Sequence, residues 1–70
     1  MKIDEIGHII RTERKKQGLR QSELAAAAGV GLRFLIELER GKKTAQIGKA
    51  RDVLLALGCE ISITTPSSDR

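Results

Sequence analysis

The chain has 70 residues, 40% of them apolar and 31% charged, with a formal net charge of +4 at pH 7. That length holds one small domain with a thin core, and a lone aromatic, Phe34, gives no stacking platform for single strands or RNA. One cysteine, Cys59, excludes an internal disulfide, and with one histidine, His8, it cannot build a Cys/His zinc site in one chain. The longest apolar runs, 24–28 and 53–57, are five residues each, too short for a membrane span. Asp4 and Glu5 break the apolar pattern near the start, so no secretory leader is expected and the chain reads as cytoplasmic.

The first periodic segment is residues 3–17, with Ile3, Ile6, Ile10 and the stem of Arg14 on one face and Gly18 as its stop. Gly7 inside it costs about 1 kcal/mol against alanine. Its use would be a close helix contact. A second, short helix fits residues 21–28, with Leu24, Ala25 and Ala28 facing in. The link Gly29-Val30-Gly31 is too short for anything but a sharp corner, which reads as helix, tight turn, helix.

The third helix runs from Leu32 to about Arg40 and stops at Gly41. At about 100° per residue, Leu35 and Leu38 share one side and Glu39 lies about 40° from Leu35. Arg33, Glu37 and Arg40 lie about 140–160° from Leu35 and face outward. Leu32, Phe34 and Ile36 fall on the flanks, and Phe34 and Ile36 are assigned to packing against the fourth helix and the turn. That fourth helix is expected over residues 45–57, capped by Thr44, with Ile47, Ala50, Leu54 and Leu57 inward and Gly58 ending it.

Residues 59–65 then alternate polar and apolar and are rich in β-branched side chains, a strand pattern. Pro66 stops it, and residues 66–70 read as a disordered tail. A lone strand needs partners for its backbone groups. The simplest partner is the same strand of a second copy, with Cys59, Ile61 and Ile63 forming a small joint core about a two-fold axis. The other reading is a disordered tail with chance alternation. The division expected is therefore 1–58 for the helical domain, 59–65 for dimerisation and 66–70 for the tail.

Charge is concentrated in two stretches of +4 each, residues 11–20 and 32–51, while residues 52–70 sum to −2. Two basic stretches on a small helical domain suit a phosphate-bearing partner, a solubilising surface being the plainer alternative. His8 is isolated and the carboxylates are scattered among cations, so an enzyme is not expected, nor any cofactor.

Residues 6–57 resemble the helix-turn-helix domain shared by phage repressors and the xenobiotic-response-element group of bacterial regulators. The matching pieces are Ile6-Gly7, Ile10-Arg11, Arg14-Lys15, Gly18-Leu19, Gln21-Ser22-Glu23-Leu24-Ala25, Ala28-Gly29-Val30, Leu38-Glu39-Arg40-Gly41-Lys42, Leu54 and Leu57. They cover about three quarters of the chain. Within that group, the run from Gly31 to Gly41 and the ending Ala56-Leu57-Gly58 before a strand resemble antitoxins paired with HipA-type kinase toxins. The chain departs from the pattern at Gly31, where Ser or Thr usually caps, and at Arg20, where Thr or Asn is usual.

The resemblance implies a mostly α fold: a four-helix, phage-repressor-like domain whose C-terminal β-strand pairs across a homodimer. It implies a dimeric repressor of double-stranded DNA and a HipA-like kinase toxin as a further partner. A stand-alone regulator, or an interaction module that neutralises an enzyme, are the other readings. Base reading is expected of Arg33, suited to guanine O6 and N7, of Glu37, suited to cytosine N4 or to holding Arg33, and of Leu32, which can touch only a thymine methyl. Arg11, Arg20, Gln21, Ser22, Arg40, Lys42 and Lys43 are expected at the phosphate backbone. Arg14 and Glu39 match the family's linked pair, and local logic agrees, because a carboxylate so near the apolar face needs a partner. Two-fold symmetry implies an inverted-repeat operator with half-sites about 34 Å apart.

Overall fold

The computed structural model describes residues 3–43 and 46–59, with side chains from Glu5 onward. Four helices follow one another: α1 (Ile3–Lys16), α2 (Gln21–Ala28), α3 (Leu32–Glu39) and α4 (Ile47–Ala56). α1 packs across α3, and α2 lies against both α3 and α4. No helix among the described residues is long and apolar enough to cross a membrane.

The aliphatic stripes meet in one core of Ile10, Leu24, Ala25, Leu35, Leu38, Ala50, Val53, Leu54 and Leu57. The alanines of α2 and α4 keep these helices slim where they approach. On α4 and its C-cap the buried set is Ala50, Val53, Leu54 and Leu57. Ile47, expected to face inward, is 58% exposed. It is the first residue of α4, one turn before the buried stripe begins, and Val53 takes the central place instead. The helix opens at Gln46. The expected cap Thr44, with Ala45, lies outside the described residues.

Each helix ends on a glycine in the left-handed region: Gly18 (φ 70°), Gly29 (φ 71°), Gly41 (φ 88°) and Gly58 (φ 82°). At the corner between α2 and α3, the Gly29 N–H donates to the Ala26 carbonyl at 3.2 Å and the Val30 N–H to that of Ala25 at 3.0 Å. This pairing satisfies carbonyls that a helix end leaves open, and only glycine enters that region without strain. The residue after the glycine tucks inward in three cases: Leu19, Val30 and Cys59 all pack on the core. In the fourth it is Lys42, which stays exposed beside α3.

Gly7 sits where α1 crosses α3. A Cβ placed there would collide with the Leu38 carbonyl oxygen and lie 3.1 Å from the Leu38 carbonyl carbon. The obstacle is backbone, so no side-chain rotation relieves it. Gly7→Ala gains about 1 kcal/mol in helix propensity, but crowding of this kind costs about 1–3 kcal/mol. A net loss is expected, read as a lower melting temperature; an unchanged or raised one would contradict the close crossing.

Farther along, the Gln17 side chain donates to the Leu57 carbonyl at 2.8 Å, tying the end of α1 to the end of α4. Beyond α4, the Cys59 N–H donates to the Leu54 carbonyl at 2.9 Å, so this residue closes the helix. The remainder of the expected strand 59–65, with Ile61 and Ile63, and the tail 66–70 lie outside the described residues.

Candidate nucleic-acid interface

The anchor of the site is a buried ion pair between α1 and α3. Arg14 Nε donates to Glu39 Oε2 at 2.7 Å and Arg14 Nη2 to Glu39 Oε1 at 3.1 Å, a two-pronged contact. Each residue is only 9% exposed. Arg14 Nη1 also donates to the Leu19 carbonyl at 2.8 Å, fixing the loop that leads into α2. Hydrogen bonding to Glu39 holds Arg14 above its ordinary pKa, assisted by the nearby charge and opposed by burial. A raised pKa means that this contribution to stability is full below the unfolded value and fades only as pH climbs past the folded one. For an arginine both lie far above neutrality.

Gln21, the first residue of α2, donates from Nε2 to Glu39 Oε1 at 3.2 Å. Gln21 is expected at the DNA backbone, and the geometry also links it to α3 through this carboxylate. Glu39 thus joins α1, α2 and α3 at one point and sets the angle at which α3 is presented. Arg20 precedes α2, and its N–H donates to Glu23 Oε1 at 2.7 Å. Its own side chain makes no cap hydrogen bond, since a guanidinium has no acceptor to offer. Ser22 is exposed in the same first turn.

Three adjoining hollows run round α3, from the flank facing α1 and α2, over its outward side, to the flank facing the segment before α4. The first is lined by Arg11, Arg14, Gln21, Ile36, Glu39 and Arg40. The second shares Ile36 and Arg40 with it and adds Leu32, Arg33 and Glu37. The third shares Glu37 with the second and continues through Phe34, Leu38, Lys42, Lys43 and Gln46. The expected site residues Arg11, Gln21, Leu32, Arg33, Glu37, Arg40, Lys42 and Lys43 are thereby brought onto one continuous surface. Cys59 is not part of it.

The Arg33 side chain is 91% exposed and stands 3.6 Å from Glu37 Oε2, one turn along. Glu37 Oε1 also meets Lys42 Nζ at 3.3 Å. One carboxylate is therefore shared by two cations, a loose arrangement readily exchanged for another acceptor.

Of the two flank residues assigned to packing, one holds and one changes. Phe34 does pack on the core, with Lys49 Nζ 5.7 Å from its ring centroid. Ile36, assigned to packing against the fourth helix and the turn, instead lines the first two hollows and is not among the residues packed on the core. Its spacing of four from both Leu32 and Arg40 was the available signal, because residues so spaced share a helix face.

The family model described as Helix-turn-helix matches residues 10–63. The chain is also 58% identical over 66 residues to an uncharacterized HTH-type transcriptional regulator, y4mF, of Sinorhizobium fredii (strain NBRC 101917 / NGR234). That match covers 94% of this chain and 87% of the relative. Family match, four-helix arrangement and tight α2–α3 corner agree: the chain belongs to the helix-turn-helix family of phage-repressor-like DNA-binding transcriptional regulators, and it is not an enzyme.

Proposed function

We propose that the chain is a dimeric, sequence-specific regulator that lays α3 in the major groove of double-stranded DNA. The observation that carries this reading is the continuous outward surface of α3, with Arg33 almost wholly exposed at its centre. Arg33, Leu32 and Glu37 read base edges, with Arg33 directed to a guanine. Arg11, Arg20, Gln21, Ser22, Arg40, Lys42 and Lys43 hold the phosphates and set the register. Gln21 does both jobs by its place: it starts α2, whose free amides suit an anion, and it is tied to Glu39 of α3.

Dimerisation through residues 59–65 rests on the alternating pattern that contains Cys59, Ile61 and Ile63. A two-fold arrangement gives an inverted-repeat site. A stand-alone regulator is the role that the similarity to an HTH-type regulator favours. Pairing with a HipA-like kinase toxin rests only on the resemblance of the run from Gly31 to Gly41.

Selection of bound duplexes from a random double-stranded library tests this reading. The expected product is an inverted repeat with a guanine in each half-site. Arg33→Ala should lose about 1–3 kcal/mol of preference at that guanine, without loss of fold. An enriched site without two-fold symmetry would overturn the dimer. Unchanged preference in the variant would remove Arg33 from base reading.

A further inference from the structure

We infer that Leu32 and Ile36 form an apolar strip on α3 that reads the C5-methyl group of a pyrimidine in the major groove. The inference rests on the reading of α3 as the groove-lying helix and deepens it.

Leu32 and Ile36 are one turn apart and line the same hollow, together with Arg33, Glu37 and Arg40. Leu32 is 44% exposed, and Ile36 is half-buried without packing on the core. Two parallel rows result. Leu32, Ile36 and Arg40 make one, each about 40° round from the last. Arg33 and Glu37, joined by their ion pair, make the other. Single exposed aliphatics are ordinary on a protein surface, but here two adjoin on the outward face of a helix otherwise lined by charge. They add nothing to the core of the domain.

A base edge in the major groove offers donors, acceptors and a single apolar feature, the methyl at C5 of thymine. A branched aliphatic side chain has nothing else there to recognise. The same methyl at the same position is carried by 5-methylcytosine, so the shared chemistry is the methyl and not one base. With Arg33 alongside, the strip predicts a methylated pyrimidine next to the guanine that Arg33 reads. It follows that Ile36 is a specificity-determining residue in its own right.

The test uses the full chain and the best duplex from the random-library selection. Each thymine is exchanged singly for deoxyuridine, which removes only the methyl, and cytosines are exchanged singly for 5-methylcytosine. At one or two positions per half-site, loss of the methyl should weaken binding roughly three- to tenfold, the scale of one or two buried methyl contacts. At those same positions a 5-methylcytosine duplex should bind more tightly than its unmethylated form. Leu32→Ala and Ile36→Ala, each checked by helical circular dichroism, should still bind the duplex but lose part of the response, and the double variant should lose all of it. Leu32 is the more exposed of the two, so Leu32→Ala is informative by itself if Ile36→Ala lowers stability. Selection that enriches no sequence would overturn the DNA-reading function itself. An enriched site indifferent to the methyl, or a response undiminished in Leu32→Ala and in the double variant, would overturn the strip alone.

Discussion

Glu39→Ala should destabilise the domain by about 3–5 kcal/mol, the cost of leaving a buried charge without its partner. For a domain of this size total stability is on the order of 4–10 kcal/mol, so the change removes about a third of it or more. The reason lies in what converges on the carboxylate. Arg14 donates to it twice and Gln21 once, and all three bonds are lost together. Arg14 keeps its bond to the Leu19 carbonyl, which satisfies one donor and leaves its charge uncompensated.

Glu39→Gln keeps the shape but removes the negative charge and turns one acceptor into a donor, and it should lose nearly as much. Replacing Arg14 and Glu39 together by leucine should cost far less than either single change, because apolar pairs of similar volume often substitute for a buried ion pair. Urea unfolding of the single and double variants checks this. Single changes worth under 1 kcal/mol would mean that the pair behaves as an exposed one.

Most of the fold could be read from the chain because its signals act over short distances. The glycines after α1, α2, α3 and α4 mark where each helix stops, and the bonds that use them lie within six residues of one another. The Arg14–Glu39 pair was legible for a related reason: a carboxylate placed beside a buried leucine on a helical wheel has few ways to be satisfied.

What failed was the side-by-side placement of helices. Whether Ile47 is buried depends on where α4 begins to meet α2, which periodicity within α4 does not contain. Ile36 failed for the opposite reason. Aliphatic character suggests burial, yet its row on α3 faces the open side, between Leu32 and Arg40. The link from Gln21 to Glu39 joins residues 18 positions apart and depends on the angle between α2 and α3. No local pattern records that angle.

Operator affinity should fall roughly a thousandfold to a hundred-thousandfold as salt rises from about 50 to 200 mM. The cations differ in what they can give. Lys42 already shares Glu37 with Arg33, so a phosphate must compete for it. Arg11, Arg20, Arg40 and Lys43 make no ion pair among the described residues. Four such cations on each of two copies would neutralise about eight phosphates, and at about −0.9 per phosphate the slope of log affinity against log salt is about −7. One copy acting alone would give about half of that, so the slope reports stoichiometry as well as charge. Lys43→Ala should make the slope shallower by about 2 per dimer, one for each copy. Lys42→Ala should change it by less, since removing this lysine also frees Glu37 to pair with Arg33 alone. A flat response would mean that these cations serve solubility, and a slope near −4 would place a single copy on the duplex.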